Sequence, residues 1–334
     1  MQFGLGIPTC REGLAYPSGF ASIQQIAALA RDAERDGFDA LWGNDHFVTQ
    51  QVVMNTLPEP PNFYEPLMTF AYLAGQTSRI KFVVGTVVAP MREPVLLAKQ
   101  SATLDRASNG RFILGLGIGA YREEFEAIAH PPPKVNRGVM LEESIRALRM
   151  LFDERRASFS GTYLHFPEIE VAPKPVQQPF PIYLGGNSTS AIQRAGQFAD
   201  GLIVAGVSPQ QTSAAVECLR PAAIAAGRDP DRLQTCVQVW VANGQTAKEA
   251  RDALEDSQHF RRLRAMKPND TVDSLVRDFT RTNLYGTADE IGAQITAYRD
   301  AGADHLAMIF LANTMEELTS RAHLFACSLG LAAQ

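Results

Sequence analysis

Short apolar runs alternate along this chain with longer stretches whose apolar positions recur at helical spacing. Residues 80–119 show the alternation most clearly and read strand, helix, strand. Both strands are short and rich in branched residues, the pattern of strands buried on both faces of a parallel sheet. Between them, Leu96, Leu97, Gln100, Thr103 and Leu104 fall at helical spacing beginning beside Pro94, and Asn109-Gly110 turns the chain. The same alternation predicts strands at residues 3–7, 40–42, 181–184, 201–204, 235–242 and 305–310. Helices are predicted at 23–36, 66–76, 140–152, 212–226 and after the capping box Thr287-Ala288-Asp289-Glu290. Residues 157–176, rich in Gly, Pro and aromatics, read as a hairpin-like insertion. Residues 248–281 are charged and weakly patterned, a lid or an extra helical excursion. About eight strands with intervening helices predict an α/β fold, a (β/α)8 TIM barrel with insertions spanning 1–334. A doubly wound sheet would call for an early GxGxxG turn, which is absent.

Composition narrows the class of protein. The chain has 334 residues, 46% hydrophobic and 20% charged, enough for a full globular core. A net charge of −5 disfavours nucleic acid or an anionic membrane as partner. The four cysteines, Cys10, Cys218, Cys236 and Cys327, lack CxxC spacing, which fits a reducing, cytoplasmic setting. No signal-like start and no apolar run of membrane length is evident.

In a barrel the chemistry gathers at the C-terminal strand ends. There the chain offers Asp45-His46, a polar pair able to exchange a proton near neutral pH or to form a capped turn. The small, backbone-exposing ends Thr86, Val87 and Val88 and then Gly117 and Gly119 suit a flat ligand pressed against main chain. Gly185-Gly186-Asn187-Ser188 leads from a strand into a helix and could hold a phosphate, or simply cap the helix. Arg122 reads as half of a surface pair with Glu126, and Lys174 as a solvated lysine. His130, His165, His259, His305 and His323 show no metal spacing and read as structural or exposed. No Ser-His-Asp or Cys-His set can be assembled.

The strings FDALWGNDHF, PVLLAKQSATLDRASNGRFILGLGIGAYREEFEA, FSGTYLHFPEIEVAPKPVQQPFPIYLGGNS and YGTADEIGAQITAYRDAGADHLAMIF together resemble the bacterial luciferase-like superfamily. The resemblance implies a barrel holding either the 8-hydroxy-5-deazaflavin coenzyme F-420 or FMN, with the ring over the rim. It also implies a non-proline cis peptide at the third strand's end, at Thr86-Val87 or Val87-Val88, and a cofactor phosphate near Gly185, Gly186 and Ser188. Asp45-His46-Phe47 resembles the deazaflavin branch, in which the His lies nearest the reacting ring edge. That branch implies hydride transfer to or from a small organic substrate. The alternatives are an FMN-dependent monooxygenase fed by a partner flavin reductase, and a non-catalytic flavin-binding protein. Ala120 stands where sugar-phosphate dehydrogenases of the family place a Glu, so their substrate does not carry over. Relatives of this kind are commonly homodimers joined through early helices.

Overall fold

The computed structural model describes residues 1–55, 57, 59–128 and 135–331. His130 lies outside the described residues. Eight strands form the barrel: β1 (Gln2–Gly6), β2 (Ala40–Gly43), β3 (Lys81–Val88), β4 (Phe112–Gly117), β5 (Ile182–Gly185), β6 (Gly201–Ala205), β7 (Gln234–Asn243) and β8 (His305–Phe310). Each pairs in parallel with the next, and β8 pairs with β1, so the barrel closes; a short further strand, Leu284–Gly286, pairs with the end of β7. The predicted barrel is therefore the observed one.

Both faces of these strands are covered, which explains their continuous apolar runs. Ala40, Trp42, Val83, Ile113, Tyr183, Ile203, Cys236 and Ala307 form a cluster of buried residues inside the barrel. Trp42 fills space that β1 leaves open: a Cβ on Gly4 would stand 2.2 Å from the indole Nε1. Removing the indole would leave a cavity, at a cost of about 3–5 kcal/mol. The alternate residues, among them Leu41, Phe82, Phe112 and Leu306, join the large core under the helices.

The helix expected at 140–152 runs Arg137–Asp153. It starts earlier than its apolar stripe because Asn136 caps it, accepting from Gly138 and Val139 N–H at 3.1 and 3.2 Å. Lys174 is not a free surface lysine. Its Nζ donates to the carbonyl of Leu151 at 2.7 Å and to that of Glu154, and so caps the same helix at its other end. The expected hairpin is Ala157–Ser160 paired antiparallel with His165–Ile169. Residues 248–281 hold most of three short helices, Ala247–Glu255, Gln258–Met266 and Val272–Thr280. Leu254, Phe260, Leu275 and Phe279 gather there around Ala242 and Leu311. Each helix buries so few residues that its period is faint in the sequence. Among the described residues, no helix is long and apolar enough to cross a membrane.

Candidate active site

At the mouth of the barrel, β2 runs out into Asn44, Asp45 and His46. Asp45 is buried and ties two strand ends together. One carboxylate oxygen accepts from Arg92 Nη2 at 2.7 Å, and the other accepts from the Val88 N–H at 3.0 Å. Arg92 also pairs with Glu65 at 3.0 Å and lies over the Phe47 ring, 4.7 Å from its centre. Asp45 thus holds the β2 and β3 ends in register, and its charge is fully engaged by Arg92 and backbone.

His46 is held differently. Its Nδ1 lies 2.9 Å from Glu124 Oε1, and the same oxygen accepts from Gln50 Nε2 at 2.7 Å. Glu124 is only 1% exposed. It sits on the helix Arg122–Ile128, just past β4. A carboxylate can only accept, so the pair assigns the Nδ1 position the proton and leaves Nε2 for other chemistry. Nε2 bonds to no described residue. Phe63 and Tyr121 flank the ring at 5.8 and 5.7 Å. Glu124 was missed in the sequence because it lies in a charged RxE-like run. The surface pair expected there, Arg122–Glu126, does form, from the residues two before and two after it. The one legible signal was Phe125, a large apolar residue beside it that is also buried.

The β3 end carries a non-proline cis peptide, but at Gly85–Thr86. This corrects the expected positions Thr86-Val87 and Val87-Val88. The pairing of β3 with β4 shifts register between Val84 and Val87, and Gln238 Nε2 donates to the Gly85 carbonyl at 3.1 Å. Gly85 is the residue of this run that the site requires small: a Cβ there would stand 2.8 Å from Gln238 Nε2 and 3.0 Å from Trp42. Val87 and Val88 bury their side chains and offer a ligand only backbone. Thr86 is half-exposed.

The glycines predicted to face a ligand have a nearer neighbour. A Cβ on Gly117 would stand 2.4 Å from Thr86 Oγ1, and one on Gly185 2.6 Å from Thr86 Cγ2. Both make room for Thr86. Gly119 adopts a positive φ of 77° at the turn after β4. Asn187 pins β5 to β6, with its side chain bonded to the Ala205 carbonyl and N–H at 2.8 and 3.1 Å. Ser188 caps the helix Thr189–Phe198 by accepting from Ala191 N–H. Gly186, Asn187, Ser188 and that helix start are solvent-accessible, so its first N–H groups face outward, as an anion site requires.

Cys10, near His46, supplies no nucleophile. Burial pushes its thiol up to about 12, although the backbone of His46 acts in the opposite direction.

The profile of the family described as luciferase-like monooxygenase matches residues 1–305. The chain belongs to this luciferase-like family. An FMNH(2)-dependent dimethylsulfone monooxygenase of Pseudomonas putida is 28% identical, over 85% of this chain and 82% of its own length. An F-420-dependent glucose-6-phosphate dehydrogenase of Kineococcus radiotolerans is 26% identical, over 84% and 86%. The solved monooxygenase RslO1 from Streptomyces bottropensis superposes with a TM-score of 0.81 at 23% identity, covering 100% of both chains, and shares the fold. Relatives of this luciferase-like chain are flavin- or F-420-dependent oxidoreductases and monooxygenases. Within it, Ala120 is exposed and offers no acid, whereas Glu124 brings a buried carboxylate to His46.

Proposed function

We propose that this luciferase-like protein is an oxidoreductase using the deazaflavin coenzyme F-420, with His46 as the acid–base group for a small organic substrate. The observation that carries the reading is the His46–Glu124–Gln50 arrangement at the barrel mouth. It needs no metal and leaves one imidazole nitrogen unengaged. The residues present fit such a cofactor. Thr86 at the end of β3 is partly exposed, and Gly206 has open space on its Cβ side. The helix start at Ser188 would take the phosphate, and Thr86 with Gly185 and Gly186 would line the approach to it. When bound, the coenzyme supplies a hydride donor or acceptor at a ring carbon.

The chain's own part is positioning and proton movement. His46 Nε2 gives a proton to a substrate oxygen that becomes a hydroxyl, or removes one in the reverse direction. Glu124 keeps the Nδ1 proton in place and stabilises the imidazolium that forms on uptake. Asp45 and Arg92 act as positioning residues by fixing the two strand ends that meet beside the site.

A second reading, an oxygenase using reduced FMN from a separate reductase, is favoured by the 28% identity to the dimethylsulfone monooxygenase. Fluorescence titration of the apoprotein with F-420 and with FMN, oxidised and reduced, separates the two. Micromolar binding of F-420 is expected. Micromolar FMN binding with no response to F-420 overturns the first reading in favour of the second.

A further inference from the structure

A second group of side chains meets at the mouth, and the acid–base chemistry of His46 does not use it. Arg11 follows β1 and is only 5% exposed. Its Nη2 donates to Asn44 Oδ1 at 2.5 Å, and its guanidinium carbon lies 5.5 Å from the centre of the Trp240 ring. Its Nε is buried with no hydrogen-bond partner. Among the described residues no carboxylate pairs with it, and its acidic neighbours in sequence and at the rim are committed elsewhere. Glu12 accepts from the N–H groups of Gly19, Phe20 and Asn62. Asp45 holds Arg92, and Glu124 holds His46.

Trp240 points inward. It shares a strand face with Cys236, which belongs to the inner cluster, and with Gln238, which reaches Gly85 across the barrel. It stands two residues past Gln238, where the pairing of β6 with β7 ends, and so at the rim. His259, from the second helix of the excursion, stacks on it with ring centres 4.3 Å apart. Its Nδ1 is buried and unpartnered, as is the Nε of Arg262 one turn on. Burial first, then the charges of Arg262 and Arg11, push the His259 imidazole down to about 4. Arg11 and His259 thus both meet the Trp240 ring, and Arg262 stands one turn beyond His259 on the same helix.

Burying a guanidinium without an anion is costly, and so is each orphaned N–H. A buried guanidinium whose only acceptor is a neutral amide, and whose Nε has none, is organised to receive an anion. We propose that Arg11, His259 and Arg262 form a subsite around Trp240 for an oxyanion of the substrate, a carboxylate or sulfonate attached to the carbon skeleton that reacts at His46. Its role as a substrate subsite rests on the proposed oxidoreductase reading. A cofactor phosphate is a poorer occupant. Arg11 follows β1 and Ser188 follows β5, which are four strands apart in a ring of eight and so on opposite sides of the mouth.

The test uses the full-length apoprotein and its tryptophan fluorescence. The probes are straight-chain carboxylates and alkanesulfonates of two to eight carbons, each compared with its neutral amide or alcohol. Trp240→Phe assigns the signal, since the other indole, Trp42, lies inside the barrel. The anions are expected to bind about tenfold or more tightly than their neutral partners. Arg11→Met should erase that preference, a loss of about tenfold or more in anion affinity, and Arg11→Lys should restore part of it. If Arg11→Met does not fold, Arg262→Gln, on a half-exposed residue, should still lower anion affinity severalfold and leave the neutral probes unchanged. Equal affinity for anion and neutral partner, no anion binding up to eight carbons, or an intact preference in these variants overturns the subsite. Anions that displace the cofactor competitively overturn its assignment to substrate. Cofactor titrations on the same proteins separate the two proposals. Anion preference without cofactor binding sinks the oxidoreductase reading and keeps the oxyanion site. Cofactor binding without anion preference does the reverse.

Discussion

Glu124→Gln isolates what the buried carboxylate contributes to His46. The variant keeps the shape of the side chain and an oxygen for Gln50 and His46, and removes only the charge. As His46 takes up a proton, its Nδ1 lies 2.9 Å from Glu124 Oε1. With charge centres about 4 Å apart and an effective dielectric near 20, the attraction is ~4 kcal/mol. Glu124 is desolvated in the resting state too, so that cost cancels and most of the attraction appears only as the imidazolium forms. A neutral amide recovers part of it through an ordinary hydrogen bond worth about 1 kcal/mol. The expected loss is therefore about 2–4 kcal/mol, or ~30- to 1,000-fold in kcat. The assay is stopped-flow absorbance of the cofactor at saturating substrate, with cofactor Kd measured in parallel. Affinity should hold while kcat falls. If Glu124→Gln stays within about threefold of wild type while His46→Ala is inactive, Glu124 merely packs the helix, and the acid–base arrangement argued above is wrong.

Asp45→Asn should act on binding instead. It removes the charge facing Arg92, at about 1.5–3 kcal/mol for a hydrogen bond to a charged group, and loosens the β3 end. Cofactor Kd should rise about tenfold while kcat at saturation changes little; the reverse split would make Asp45 part of the chemistry. Gly85→Ala places a Cβ 2.8 Å from Gln238 Nε2 and 3.0 Å from the rigid Trp42 ring. Overpacking of this kind costs about 1–3 kcal/mol, so the urea midpoint should drop, and an unchanged midpoint would refute the crowding. His259 and His305 are both held down at about 4, from an ordinary 6.5, chiefly by burial. Between those values the unfolded chain binds protons that the folded chain refuses. Stability is thus fully present above pH 6.5 and falls as the pH drops toward 4, by up to ~3 kcal/mol per histidine. Urea midpoints at pH 7, 6 and 5 should fall in that order, and His305→Gln should flatten the trend. Equal midpoints at pH 7 and 5 would show that neither imidazole is kept neutral by the fold.

Which features were legible in the chain follows from the range over which each is determined. The barrel was readable because strands buried on both faces leave a local mark: runs such as residues 305–310 have no polar face to interrupt them, and the intervening helices carry their own caps. Asp45-His46 was readable because a strand end followed by polar residues is also local. The glycines at 117 and 185 were visible but ambiguous, since smallness suits a ligand and a neighbouring side chain equally. Contacts across three strands decide that Thr86 takes the space. The cis peptide was placed one or two residues late because Gly85, Thr86 and the two valines form one uniform β-forming run. The residue that must be small is fixed by Trp42 on the neighbouring strand and by Gln238 across the barrel, 153 positions away.

Glu124, Gln50 and Arg11 were illegible for a related reason. Burial of a charged residue is set by what comes to meet it, and beyond Phe125 nothing in a charged heptad such as 121–127 tells a carboxylate facing solvent from one facing a histidine 78 residues earlier. The two differ in how completely they are satisfied. Glu124 has both partners supplied by the chain, so it serves to hold another group still. Arg11 has Asn44 on one nitrogen and nothing on its Nε. The mouth thus pairs an internally completed acid–base device with an incomplete cationic one. Among the described residues nothing completes the second, and the proposed substrate oxyanion would carry negative charge into a place from which water is largely removed. That requirement constrains the substrate more tightly than any likeness to a relative, because it follows from the charge left unbalanced here.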